Sequence, residues 1–165
     1  MGFTIILSLV MMAGLFLLLY SGVGLIQDEK FFSSAPKEVR ETVKPKKERF
    51  PGAHVLGWKL AVIAFLLMAG PMALGALDGI QKGFSFGQFF VRFLIMLLLL
   101  KAFDIGFFDW VLLCNKGLGF FPHFYPEVEP VLGRYLFGYN KKTHLAHILA
   151  SPVISAALAW ICTLF

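Results

Sequence analysis

Apolar residues along this chain fall into four blocks parted by polar stretches, at about residues 3–26, 60–77, 89–114 and 145–165. The first two blocks carry no charge, and the fourth has one ionisable side chain, His147. The third contains Arg92, Lys101, Asp104 and Asp109. A helix rises about 1.5 Å per residue and a bilayer core is about 30 Å thick, so roughly 20 residues suffice to cross. Backbone groups in lipid have no water to bond, which makes these blocks helices rather than open strands. The pattern predicts an all-α fold, a polytopic membrane protein in which 1–165 form a single four-transmembrane-helix bundle. Two loops of about 30 residues, 27–59 and 115–144, join its helices.

Composition excludes the other broad classes. The chain has 165 residues, of which 58% are hydrophobic and 15% charged. Its mean hydropathy is +0.77. A soluble domain is about 45–50% apolar and about 25% charged, and neither a disordered chain, a collagen-like fibre nor a disulfide-stapled mini-protein fits these figures. The net charge of +5 is unevenly placed: the two long loops hold twelve of the 15 basic residues, and the connection between the second and third blocks only Lys82 and Arg92. The positive-inside rule then puts both loops in the cytoplasm and both termini outside an inner (cell) membrane. The basic run 44–49 reads as a solvated juxtamembrane segment touching anionic lipid, and nothing here suits nucleic acid.

The lesser features refine this picture. The first block lacks a basic lead-in and an A-x-A-like site, so an uncleaved anchor is expected rather than a signal peptide. Ser34-Ala35-Pro36 starts a short surface helix that Pro45 ends. The second loop carries Phe120, Phe121, His123, Phe124 and Tyr125 among turn formers, and continues through Arg134, Tyr135, Phe137 and Tyr139. So many rings suit the headgroup zone, with Trp58 and Trp110 in the same belt and Trp160 in the opposite one. Pro71 and Pro152 are expected to bend their helices, and Ala69, Gly70, Ala73, Gly75 and Ala76 to let helices approach closely. Cys114 and Cys162 should lie at opposite membrane faces, too far apart for a disulfide.

Candidate chemistry concentrates in the third and fourth helices. Lys101 and Asp104, at i and i+3, share a face near the bilayer midplane, where an ionisable group is normally paired and functional. Asp109 lies about 80° round the helix from Lys101, and Arg92 on the opposite face. The bland alternative ends the third helix near Phe103, with Arg92 and Lys101 reaching to opposite surfaces and Asp104 to Trp110 forming a solvated turn. A third option is a purely structural Lys101–Asp104 pair. On the fourth helix His144, His147, Ser151, Ser155, Leu158 and Cys162 recur at helical spacing as a polar face, either a packing seam or the far wall of the same site. His54, His123, Glu127 and His144 are candidates at the cytoplasmic interface. His123, His144 and His147 could share a metal only weakly by spacing, so no metal or other cofactor is expected. Phosphate-loop, nucleophile-elbow and C-x-x-C motifs do not occur.

The strings Lys101-Ala-Phe-Asp104 to Asp109-Trp110, Phe121-Pro-His-Phe-Tyr-Pro126 and Phe137-Gly-Tyr-Asn-Lys-Lys-Thr-His144 resemble a group of small bacterial four-helix integral membrane proteins. The resemblance implies the architecture and no activity. Three functions stay open: a transport component or subunit of a membrane assembly, a membrane-embedded enzyme acting on a lipid or isoprenoid at the cytoplasmic leaflet, and a scaffold subunit without chemistry. Four short helices enclose little volume, so the expected partners are the bilayer and either a second copy or another membrane protein.

Overall fold

The computed structural model describes residues 1–28, 35, 37–113, 118–133 and 141–165. Cys114, the start signal at Ser34 and Pro36, and the aromatic stretch 134–140 lie outside the described residues. Those described form helices and turns only. Helix α1 (Gly2–Tyr20) continues as a π-helical segment, Ser21–Ile26, closed by Gln27 in the left-handed region. The short α2 (Lys37–Thr42) follows, then the long α3 (Ala53–Gln81). Helix α4 (Phe86–Phe103) also runs on as a π-helix, Asp104–Leu113. One turn of α5 (Phe120–Phe124), a 3-10 turn (Pro126–Val131) and α6 (Lys141–Cys162) complete the chain.

Three of these stretches are long and apolar enough to cross a membrane: Gly2–Ile26, Ala53–Gln81 and Lys141–Cys162, with mean hydropathies of 2.5, 2.3 and 1.8. Their outward faces carry Val62, Phe65, Leu66, Leu149 and Val153, all exposed. Such a surface has no stable place in water. Helix α3 outruns the expected 60–77 at both ends, because Gly52 and Lys82 lie beyond the apolar block but still frame a continuous helix.

Helix α1 packs on α3 and α4 on α6, with α1 against α4 joining the two pairs. Small residues set the first pairing, though not all those expected. The buried face of α3 is Gly57, Ala61, Ala64, Pro71, Gly75 and Gly79. Ala69 and Ala73 are exposed, and Gly70 has open space where a side chain would go. The opposing small residue is Gly14 of α1, where a Cβ would stand 2.9 Å from Leu67 Cβ and 3.0 Å from the Ala64 carbonyl oxygen. Helix α4 starts at Ser85, whose N–H donates to Gln88 Oε1 at 2.8 Å while the Gln88 N–H donates to the Ser85 carbonyl oxygen at 3.0 Å. This satisfies two donors that a helix start otherwise leaves bare.

Two cores result. One, toward the termini, gathers Leu7, Met11, Phe89, Phe93, Met96, Ala159 and Cys162. The other lies at the loop end and draws Val39 and Val43 from the first loop, Phe121, Tyr125 and Val128 from the second, and Phe108 and Leu112 from the π segment after α4. The loops are thus a folded cap, not two solvated strands of chain. The aromatic segment does not simply lie among headgroups: Phe121 and Tyr125 are buried inside protein, since opposing valines offer their rings a closer-packed surface than lipid.

Candidate functional site

Two ionisable pairs stand along α4 and its π continuation, and one of them reaches α6. The first forms where α4 passes into its π segment. Lys101 and Asp104 sit one helical turn apart on one face, and Lys101 Nζ lies 2.6 Å from Asp104 Oδ2. The lysine side chain is 12% exposed and the carboxylate 29%. The helix does not end near Phe103, so the solvated turn expected under the bland alternative is a helical stretch instead.

The second pair bridges two elements. Asp109, in the π segment, meets His144, in the first turn of α6, through Oδ2 and Nε2. Both are largely buried, and His144 Nδ1 is shielded with no hydrogen-bond partner among the described residues.

Farther along α6, Ser151 and Ser155 are buried. Ser151 Oγ donates back to the His147 carbonyl oxygen at 2.8 Å, while Ser155 Oγ is shielded with no hydrogen-bond partner among the described residues. His144 meets Asp109 at one end of the seam, and Ala159 and Cys162 share a core with Phe89, Phe93 and Met96 at the other. That antiparallel register puts Ser151 level with Lys101. The structure therefore joins Asp109 to His144 across the two elements, pairs Lys101 with Asp104 within one helix, and buries Ser151 and Ser155 farther along α6. His147 is not joined to either pair, and it is exposed.

The remaining candidates scatter. His54 stands exposed at the start of α3, its backbone N–H donating to Glu48 Oε1 at 2.9 Å. Glu127 accepts from Lys46 Nζ at 2.9 Å and from the Lys44 N–H at 3.3 Å. Burial pushes its carboxyl upward, but those hydrogen bonds and the lysine charge outweigh it, leaving Glu127 below the usual carboxylate range. His123 Nε2 lies 3.1 Å from Arg49 Nη2. Lys46 also stands over the Tyr125 ring and Arg49 over the Phe124 ring, at 5.3 and 5.0 Å. Two cations of the run 44–49 thus tie the first loop to the second, where a solvated segment was expected. Among the described residues no three imidazole, thiol or carboxylate groups are grouped to hold a metal, and His123, His144 and His147 are not brought together.

Sequence reasoning overlooked a third polar cluster, at the end of the bundle near the termini. Arg92 was placed on the face opposite Lys101, reaching outward only under the bland alternative, and it is 6% exposed. It turns onto α3, where Nη2 meets Asp78 Oδ2 at 2.8 Å and Nη1 donates to the Gly75 carbonyl oxygen at 2.6 Å. Lys82 pairs with the same carboxylate at 2.6 Å, and the Phe84 ring lies 4.4 Å below the guanidinium. The signal was available. Asp78 and Arg92 flank the connection between α3 and α4, and a charge inside an apolar block needs a partner.

No family model matches the chain, and neither a curated protein nor a solved structure is detectably similar to it.

Proposed function

We propose that the chain is a multi-pass inner-membrane protein acting as a transport component, or as a subunit of a membrane assembly, through the polar seam between α4 and α6. The single observation that carries this reading is the Asp109–His144 pair, which joins two helices with both side chains largely buried. Charge held at low exposure in an apolar bundle is costly, and in membranes it marks ion and proton routes. Histidine gains or loses its proton near neutral pH, and a carboxylate partner holds the proton at a defined nitrogen. Lys101 and Asp104 extend the polar path toward Ser151 and Ser155.

The topology behind this reading has four crossings, with α4 and its π continuation as the third in chain order. Helices α3 and α6 both run from the loop end toward the core that holds Phe89 and Cys162. The chain must return between them, and Phe86–Leu113 is the helical stretch that does so. Both termini then share a side, which the basic loops assign to the exterior. A second copy, or another membrane protein, would close the seam from the open side.

An enzyme at the cytoplasmic leaflet draws less support, because its candidate groups lie in separate places: His123 with Arg49, Glu127 with Lys46, and Asp109 with His144. Proteoliposomes carrying an internal pH dye test the transport reading. An imposed pH or cation gradient is expected to collapse faster with the wild-type chain than with Asp109→Asn or His144→Gln, by about tenfold or more, given the cost of an unpaired buried charge. Equal rates in wild type and both variants, all correctly inserted, would remove the seam from any role in transport.

A further inference from the structure

A cavity lies away from the Asp109–His144 pair, at the loop end. It is an open cleft of about 630 Å³, bounded by Tyr20, Arg49, Phe50, Phe120, His123 and Phe124. That volume is in the range of small-molecule and lipid-headgroup sites. Its chemistry is segregated. Arg49 and His123 converge at one place, 3.1 Å apart. The Arg49 guanidinium stands over the Phe124 ring at 5.0 Å, and Phe124 is in turn packed edge-on against Tyr20 at 6.0 Å. No carboxylate is among the lining residues. Among the described residues, Glu127 is engaged with Lys46 and Glu48 with the start of α3. The cleft therefore pairs a cationic head with an aromatic wall. Tyr20 is the last residue of α1 before its π segment, so the wall stands where the first apolar stretch nears its end. That is the depth at which a lipid presents its headgroup.

We infer that this cleft binds a membrane amphiphile bearing a phosphomonoester, its phosphate on Arg49 and His123 and its tail over Tyr20, Phe50 and Phe120. A phosphomonoester carries about −1.5 to −2 charges near neutral pH and three terminal oxygens. It can accept two parallel bonds from the guanidinium and a third from the imidazole N–H. A phosphodiester, with one charge and two free oxygens, satisfies the arginine alone. A zwitterionic choline lipid would bring a cation to a cationic site.

The test is a calorimetric titration of the full chain in a neutral detergent with four probes: lysophosphatidic acid, lysophosphatidylglycerol, lysophosphatidylcholine and inorganic phosphate. The monoester lipid is expected to bind about tenfold tighter than the diester and far tighter than the other two. Arg49→Gln should abolish this binding, and Arg49→Lys, which keeps the charge if the glutamine variant folds poorly, should weaken it about threefold to tenfold. His123→Gln should erase the preference for monoester over diester. Equal affinity for lysophosphatidylcholine, or unchanged binding by Arg49→Gln and His123→Gln, would overturn the site. Inorganic phosphate binding as tightly as lysophosphatidic acid would leave the rings no role and overturn the amphiphile. Asp109 and His144 take no part, so the result is independent of the transport reading.

Discussion

At the scale of single residues, charges in this chain act through the partners that fix them. Arg92 is buried against Asp78 and the Gly75 carbonyl, whereas Lys101 has a local partner one turn away. Removing a buried guanidinium strands the groups that it satisfied, so Arg92→Ala should lower the melting temperature in detergent well below that of Lys101→Ala. Glu127 gives a pH signature. Its carboxyl is depressed in the folded protein, so the stability that it contributes is present above the unfolded carboxylate value of about 4.3 and is lost as pH falls through the lower folded one. Melting temperature followed from pH 6 down to about 3 should fall more steeply in wild type than in Glu127→Gln. Tyr125 has the opposite sign, because burial pushes its hydroxyl to about 12. Its contribution persists to about pH 10, the unfolded value, and is lost between there and the folded value.

At the scale of elements, packing decides which residues of a helix matter. Gly14→Leu would drive a side chain into Leu67 and the Ala64 carbonyl and should cost about 1–3 kcal/mol. Gly70→Leu meets open space and should be nearly neutral. Chemical or thermal unfolding of the two variants in one detergent separates them. Removing the Tyr125 ring from the cap core should cost about 3–5 kcal/mol, as for other large buried aromatics. Limited proteolysis should then open the 37–52 segment while the spans stay protected. Some of this is written locally in the sequence. Pro45 and the charged run before it announce α2, and Ser85 with Gln88 three residues on announces the start of α4. The π segments are not legible. Ser21–Ile26 and Asp104–Leu113 differ from α-helix by one hydrogen-bond step, and no residue type demands that step.

At the scale of the whole molecule, the outer surface is apolar around the spans and basic at one end, and these two gradients set its placement. In sealed cells, with the native cysteines replaced by serine, Lys47→Cys should react with an impermeant thiol reagent only after the membrane is opened. Lys82→Cys should react from outside. Labelling on the same side for both would require a different number of crossings. The cap also changes how the loops are to be regarded, since a core shared by both holds the entrance of the bundle in one shape and creates the Arg49–His123 cleft.

The sequence by itself determined that the chain is helical and that Lys101 and Asp104 share a helix face, and it pointed to four apolar blocks, of which three form helices long and apolar enough to cross a membrane. These properties depend on composition and on neighbours within one turn, and hydrophobic burial and helix geometry act on them locally. Only the tertiary structure decided that Asp109 meets His144, that Arg92 turns inward to Asp78, and that rings and valines from both loops close a second core. Those partners lie far apart in the chain. Their meeting depends on helix register and crossing, which small residues such as Gly14 and Gly79 set through close approach rather than through any pattern of polarity.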